Sequence, residues 1–209
     1  MTNVRIVIAA VLGYLLGCVQ TAYVVGRTVK SIDIRQHGTQ NAGASNVTTL
    51  MGWRYGALVA MVDILKATLA VTIARALFPQ EITPAFVAGA GAIIGHIYPV
   101  FLRFRGGKGA ASLIGMLLGL DLRLAIIAAL LIVGLTLVTD YIAIGSIAMF
   151  VMVPIGLYLL RYPPLCIAIG VAMAALTFWK HSINITRILN GTEVGLRSVA
   201  LNRGTKAKG

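Results

Sequence analysis

Charge is scarce in this chain. Of its 209 residues, 11% are Asp, Glu, Lys or Arg, and 6 of those are acidic. A soluble globular domain carries about 25% charged residues, so the composition excludes an ordinary water-soluble enzyme or binding module. Cysteine is nearly absent too: Cys18 and Cys166 both sit in apolar runs, and no spacing pairs them. That rules out a disulfide framework, and no Cys/His cluster has the spacing of a metal site. Both read as buried small hydrophobes, and neither a metal nor a cofactor is expected. Aromatics make up 7% and are not interleaved with the basic residues, which argues against a nucleic-acid partner. There is no A-x-A-like cleavage site after the first apolar run, which is also too long for a signal-peptide core, so that run is expected to be retained. No transporter-type internal repeat is visible.

Hydrophobic residues make up 58% of the chain. They fall into seven apolar segments, at Val4–Val25, Gly56–Phe78, Pro84–Leu102, Ala110–Leu120, Leu124–Val138, Tyr141–Leu160 and Leu165–Trp179. The expected fold class is all-α: a polytopic membrane helix bundle with seven transmembrane segments. One domain is expected over residues 1–195, followed by a basic, disordered tail over 196–209. A full span needs about 20 residues, and the fourth and fifth segments are short for that. Merging them would bury Asp121 and Arg123, so the fourth is expected to start inside the membrane, beside a cavity. The net charge of +12 is one-sided. Arg27, Lys30, Arg35, Arg54, Arg103, Arg105, Lys108, Lys180, Arg187 and the cations of the tail lie on one face. Arg5, Arg123 and Arg161 lie on the other. The positive-inside rule then places the N-terminus outside and the C-terminus in the cytoplasm.

Polar chemistry concentrates on the basic face. The stretch Gly95–Ser112, GHIYPVFLRFRGGKGAAS, crosses Arg103 and Arg105 and sets Gly106, Gly107 and Gly109 around Lys108. Glycines let backbone N–H groups approach an anion, a helix start adds its positive dipole end, and a lysine supplies a point charge. This points to a phosphate-holding loop. It is not a Walker A loop, because Leu102 stands where the first glycine belongs and Gly109 where Ser or Thr belongs. The loop Gly38–Asn46, GTQNAGASN, offers hydroxyls at Thr39 and Ser45, amides at Asn41 and Asn46, and glycines at Gly38 and Gly43. It suits an oxyanion cradle, though such loops are also plain turns. Asp63 and Lys66 are spaced to pair on one face of a membrane helix, either as a structural ion pair or as part of a site. His96 reads as a structural residue before the Pro99 turn. In the tail, His181, Asn184 and Arg187 recur every third residue and share a stripe. Glu193 is expected to order the tail through a partner such as Arg187.

Taken together, these segments resemble the bacterial acyl-phosphate:glycerol-3-phosphate acyltransferases, integral enzymes of phospholipid biosynthesis. Family members carry a GSGNxGATN-like loop where this chain has GTQNAGASN. They carry GHxxPxFLxFKGGKGxAT where it has GHIYPVFLRFRGGKGAAS, and HRxNIxRLxxGxE where it has HSINITRILNGTE. An early GSxPxAYLxGR element stands as GCVQTAYVVGR, and a DxxK pair matches Asp63 and Lys66. The resemblance implies transfer of a fatty acyl group from acyl phosphate to the 1-hydroxyl of glycerol 3-phosphate, giving lysophosphatidic acid. It implies a multi-pass protein of the bacterial inner (plasma) membrane whose site faces the cytoplasm. Its partners would be the two substrates, membrane lipid and a soluble enzyme that makes acyl phosphate. The H-x-x-x-x-D pair of other glycerolipid acyltransferases is absent: five residues after His37, His96 and His181 stand Ala42, Phe101 and Thr186.

Both substrates carry phosphate, so such a site needs anion cradles more than a carboxylate base. The catalytic candidates are Thr39, Asn41, Lys108 and His181. Gly38, Gly43, Ser45, Asn46, Gly106, Gly107 and Gly109 are assigned to the acyl-phosphate side. By resemblance, Ser146, His181 and Asn184 hold glycerol 3-phosphate, with Arg187 a further substrate contact. The proton acceptor is either His181 or, ranked first, the phosphate itself. Two family arginines are missing, replaced by Thr49 and Ser182. A divergent paralogue that binds phosphorylated lipid precursors without catalysis, or with another acceptor, is the alternative. A small transporter of a phosphorylated metabolite is disfavoured, because only Asp63 and Lys66 charge the membrane interior.

Overall fold

The computed structural model describes residues 2–197. Ten α-helices account for the described chain, joined by short turns and with no strand among the described residues. They are α1 Thr2–Gly17, α2 Thr21–Lys30, α3 Ala44–Met51, α4 Trp53–Leu77, α5 Ile82–Ile97, α6 Ala110–Leu120, α7 Leu122–Thr139, α8 Ile142–Leu159, α9 Pro164–Lys180 and α10 Ser182–Leu189.

Among the described residues five helices or continuous helix pairs are long and apolar enough to cross a membrane, or six if the α9–α10 pair, bent by 48°, is counted as one span. The fourth expected segment, α6, has 11 residues. At 1.5 Å per residue it is roughly 16 Å long, about half a hydrocarbon core. Its limits are those expected. Asp121 stops it and caps α7, its carboxylate accepting from the Arg123 N–H at 2.9 Å.

Two expected segments are interrupted. The first is broken at Cys18–Gln20 and then runs on to Lys30, past the expected Val25. The break is held by distant groups: Lys66 donates to the Val19 carbonyl at 2.6 Å, and Gln20 donates to the His96 carbonyl at 3.1 Å. The third segment ends as helix at Ile97, because Pro99 and the residue before it leave helical geometry. A single 3₁₀ turn, Val100–Leu102, follows.

Helix α5 is the axis of the bundle, buried along most of its length and packed against α1, α4, α6 and α9. In lipid, apolar burial gives little drive to helix pairing, so close van der Waals approach carries it. Here α1 and α5 meet backbone to backbone. A Cβ at Gly13 or Gly17 would strike Ala88 or Ala92, and one at Gly91 or Gly95 would strike Ala10 or Tyr14. The main core runs between α4, α5, α6, α7, α8 and α9 around Phe86, Leu117, Phe150 and Leu157. A second, smaller core of Ala22, Val25, Ile34, Ala42, Val47 and Val59 sits under the Gly38–Asn46 loop.

The expected tail over 196–209 lies outside the described residues from 198 onward. Its first two residues are docked. The Leu196 N–H donates to the Asp140 carbonyl at 3.0 Å, and the Arg197 N–H to the Asp140 carboxylate at 2.8 Å. The folded part therefore extends to at least Arg197.

Candidate active site

The three polar stretches converge at one end of the bundle, around two adjoining cavities. The inner chamber, of about 400 Å³, takes Thr39, Asn41, Gly43 and Ser45 from the first loop and Lys108 and Gly109 from the glycine loop. Ser146 of α8, His181, Asn184 and Glu193 add to its polar lining, and Ile64, Ile114 and Ile132 form an apolar wall. The outer basin, of about 930 Å³, is lined by Arg35, Arg103, Arg105, Lys180 and Arg187. Thr39, Asn41, Lys108 and Asn184 border both cavities. Among the described residues Asp33 is the one acid lining the basin. It is paired with Arg35 at 2.7 Å, whose hydrogen bond holds its carboxyl below the usual carboxylate range.

Each loop is shaped by internal ties. Asn46 is fully buried. Its carbonyl oxygen accepts from the Thr39 N–H at 2.9 Å, and its amide donates to the carbonyls of Ile34, His37 and Asn41. Asn46, expected as a substrate contact, is thus the post around which the loop winds, with no side-chain atom left for an anion. Gly38 packs against it, where a Cβ would collide with the Asn46 carbonyl oxygen. The loop's second amide, Asn41, donates to the Thr39 hydroxyl at 2.9 Å and stays at the cavity edge.

The glycine loop corrects another expectation. The Gly106 N–H is bonded to the Ile97 carbonyl at 3.1 Å, and the Gly107 N–H to the His96 carbonyl at 3.0 Å. These two donors are spent on the fold. Gly106 and Gly107 are required because a Cβ at either would strike His96, at its carbonyl or its ring. The donors that remain belong to helix starts. Gly109, at φ +87°, turns the chain into α6, and Gly43 leads into α3 with no side-chain cap. The first N–H groups of a helix have no intrahelical partner and carry the positive end of its dipole. Ala110 and Ala111 of α6, with Ala44 and Ser45 of α3, all line the chamber. Two helix N-termini therefore face it.

Lys108 stands where the cavities meet, hydrogen-bonded to the Asn184 carbonyl oxygen. The Asn184 amide in turn donates to the Glu193 carboxylate at 2.6 Å. Burial pushes the Lys108 ammonium down to about 8, Glu193 opposes this, and Arg187 and Lys180 add to it. The expected Glu193–Arg187 ion pair is replaced by the Asn184 bond, while the Glu193 N–H caps the Arg187 carbonyl at 3.2 Å. Arg187 itself lines the basin, away from the chamber.

His181 follows the last residue of α9. Its Nδ1 lies 2.9 Å from the Thr177 carbonyl, an acceptor, so the proton sits on Nδ1 and Nε2 carries the lone pair. Burial, reinforced by Lys108, lowers its basicity to about 4, so it is neutral at physiological pH. Ser146, nearly buried, donates to the Ile142 carbonyl at 2.9 Å and reaches the chamber from the first turn and a half of α8.

Beneath the chamber, Asp63, Lys66 and His96 form a buried cluster. Lys66 lies 2.7 Å from Asp63 and 3.0 Å from His96 Nδ1, and His96 Nδ1 lies 3.4 Å from the same Asp63 oxygen. His96, expected as a lone structural residue, is therefore a member of this cluster, and Asp63 and His96 reach the chamber floor. Thr49, in place of a family arginine, lines the chamber with its hydroxyl bonded to the Ser45 carbonyl at 3.1 Å. Arg54 stacks on Trp53 and lines neither cavity, so it does not replace the missing cation. Sequence reasoning missed the apolar wall of Ile64, Ile114 and Ile132, since nothing separates these isoleucines from those facing lipid.

The fold is that of a helical, multi-pass membrane protein, and its candidate site is a buried cation set between helix N-termini. The sequence matches the glycerol-3-phosphate acyltransferase family over residues 7–191. The chain belongs to that family. It is 38% identical to glycerol-3-phosphate acyltransferase 1 of Oceanobacillus iheyensis, over 92% of this chain and 96% of that one. It is 40% identical to the glycerol-3-phosphate acyltransferase of Geotalea daltonii, over 86% and 92% of the two chains. Among solved structures it superposes on PlsY (YgiH), an integral membrane glycerol 3-phosphate acyltransferase. The glycerol 3-phosphate form matches with a TM-score of 0.84 at 31% identity, covering 91% of this chain and 95% of that one. The lysophosphatidic acid form matches with 0.82 at 30% identity, covering 94% and 98%.

Proposed function

We propose that this protein transfers a fatty acyl group from acyl phosphate to the 1-hydroxyl of glycerol 3-phosphate, releasing lysophosphatidic acid and inorganic phosphate. Family membership and the two forms of the structural neighbour support the acceptor and the product. The observation that carries the reading is the position of Lys108, a buried cation at the junction of an apolar-walled chamber and a cationic basin.

The acceptor hydroxyl oxygen attacks the acyl carbonyl carbon, the carbon–oxygen bond to phosphate breaks, and the hydroxyl proton ends on the departing phosphate. Acyl phosphate is already activated, so the site's work is positioning and charge neutralisation. Lys108 and the N–H groups opening α3 and α6 neutralise phosphate. Ser146, His181 and Asn184 orient the acceptor, with Thr39 and Asn41 closing the cradle. Asp63 is engaged by Lys66 and Glu193 by Asn184, so neither carboxylate is free as a base. His181 Nε2 is an open nitrogen acceptor at the chamber. With its basicity lowered to about 4, it ranks behind the phosphate as proton acceptor.

The same reading sets the protein in the bacterial plasma membrane with seven membrane segments, α6 being the partial one. The N-terminus is outside and the site faces the cytoplasm, where a soluble enzyme supplies the acyl phosphate. Residues 1–195 act as one domain, onto which Leu196 and Arg197 are docked. Thr49 and Ser182 favour a second reading, a paralogue that binds phosphorylated lipid precursors without turnover.

The test is phosphate release from palmitoyl phosphate by purified protein in lipid, with and without glycerol 3-phosphate, alongside detection of lysophosphatidic acid. Acceptor-dependent release matched by lysolipid is expected. No turnover by folded protein would overturn the transfer reading in favour of the second. Release without lysolipid would mean another acceptor.

A further inference from the structure

Asp140 lies at the corner between α7 and α8, in no motif, and takes no part in the mechanism above. It nevertheless anchors the far end of the segment that follows α10. The Asp140 carbonyl accepts from the Leu196 N–H at 3.0 Å, and its carboxylate accepts from the Arg197 N–H at 2.8 Å. The Arg197 guanidinium reaches the Leu137 carbonyl, one turn back along α7, at 2.8 Å. Gly195 is pressed so closely on the Asp140 carboxylate that a Cβ there would collide with it. Asp140 itself sits at φ +71°, which Asp tolerates better than most residues.

The other end of this segment is at the site. Gly191 turns the chain out of α10, and Glu193 and Val194 line the inner chamber. The carboxamide of Asn184 has only one orientation that satisfies both of its neighbours. Lys108 has only donors, so it takes the oxygen, and the Glu193 carboxylate has only acceptors, so it takes the amide. Glu193 thus decides which atom Asn184 shows to Lys108. Glu193 is held on one side by the Arg187 carbonyl and on the other by the strap to Asp140.

We infer that Asp140 is a positioning residue of the acyl-transfer site: it pins the Glu193–Arg197 strap, which fixes Glu193 on Asn184 and thereby sets Asn184 against Lys108. The inference rests on the acyl-transfer reading for its effect on turnover, but not for its effect on Lys108. The charges acting on Lys108 are Glu193 and Arg187 from α10 and its strap, and Lys180 from the end of α9, with His181 neutral beside it. Asp63 of α4 and His96 of α5 reach the floor of the same chamber, and Asp63 is paired with Lys66 at 2.7 Å. Releasing the strap withdraws Glu193, while Asp63 stays committed to Lys66. The two cations remain, so Lys108 loses its proton at lower pH.

The experiment compares native protein with Asp140→Gly, Asp140→Asn and Gly195→Ala in lipid. Glycine suits the positive φ and removes the carboxylate, asparagine keeps the acceptor oxygen, and Gly195→Ala displaces the strap from its other side. Two readouts are taken: steady-state kinetics with glycerol 3-phosphate, and the pH dependence of Lys108 modification by a small amine-reactive reagent, resolved by peptide mass spectrometry. Asp140→Gly and Gly195→Ala are expected to lower kcat by about tenfold or more. They are also expected to move the Lys108 midpoint down by about one pH unit, while Asp140→Asn stays near native in both. A native Lys108 midpoint in Asp140→Gly and Gly195→Ala overturns the inference, whatever happens to turnover, because a merely structural corner would not move it selectively. If Asp140→Gly does not fold, Gly195→Ala carries the same decision. A shifted midpoint in a chain whose native form shows no turnover would support the positioning role and sink the transfer reading.

Discussion

Replacing Asp63 by asparagine strands a cation inside the bundle. Lys66 and Asp63 are both almost wholly buried, and their closest approach is 2.7 Å. Removing one partner of a buried ion pair costs about 3–5 kcal/mol, since the other charge stays uncompensated. Lys66 keeps two acceptors, the Val19 carbonyl at 2.6 Å and His96 Nδ1 at 3.0 Å. That places the expected loss at the low end, about 3 kcal/mol, or roughly a hundredfold in the unfolding equilibrium. The disturbance reaches the site through His96, whose carbonyl holds the Gly107 N–H at 3.0 Å. Lys108 is the next residue. Reversible denaturant unfolding in lipid–detergent micelles, followed by the fluorescence of Trp53 and Trp179, measures the cost, and kcat/KM measures its transmission. Adding Lys66→Gln to Asp63→Asn removes the stranded charge and should restore stability to within about 1 kcal/mol of native. An Asp63→Asn protein as stable as native, or a double variant no better than the single, would refute the reasoning.

The remaining predictions concern the site directly. Lys108 is cationic below its midpoint of about 8 and neutral above it, so kcat/KM for glycerol 3-phosphate should fall as pH rises through that value. Lys108→Arg should move the fall beyond the accessible range, and a native alkaline limb in that variant would remove Lys108 as its source. Thr49→Arg adds a cation at the chamber wall. A charge-assisted phosphate contact contributes about 1.5–3 kcal/mol, so KM for glycerol 3-phosphate should drop by roughly ten- to a hundredfold, and an unchanged KM would show that Thr49 lies off the phosphate's path. Gly107→Ala drives a methyl into the His96 ring and should abolish turnover in protein that still inserts, as judged by activity against membrane-extracted yield.

The helix content and the gathering of loops were legible because polar stretches are rare in this chain. Asp121 and Arg123 marked the end of α6 to the residue, since neither charge belongs in lipid. The Gly38–Asn46, Gly95–Ser112 and His181–Glu193 stretches met at one site as expected. The break at Cys18–Gln20 was not legible, because its cause is a lysine far along the chain in α4. Asn46 and Gly106–Gly107 looked like donors for a ligand, because spacing shows which groups exist but not which of them the fold has already used. Glu193 was matched to Arg187 by sequence proximity, whereas the turn at Gly191 folds the chain back along α10 and brings Glu193 to Asn184 instead. Among the described residues five or six helices or helix pairs are long enough to cross, and the short α6 is the segment that the charges at Asp121 and Arg123 already marked as partial.

The contact between α1 and α5 bears on how variation in this protein is to be interpreted. At Gly13, Gly17, Gly91 and Gly95 an added methyl meets rigid main chain on the opposite helix; no rotamer change relieves it, and the helices must separate. A saturation-mutagenesis map would therefore score these four positions as intolerant as Lys108, although they touch neither cavity. Intolerance by itself would draw two equally dark patches on the molecule, one where the chemistry is and one where two backbones touch. Only a measurement that separates the amount of assembled protein from the rate of each assembled molecule would tell them apart.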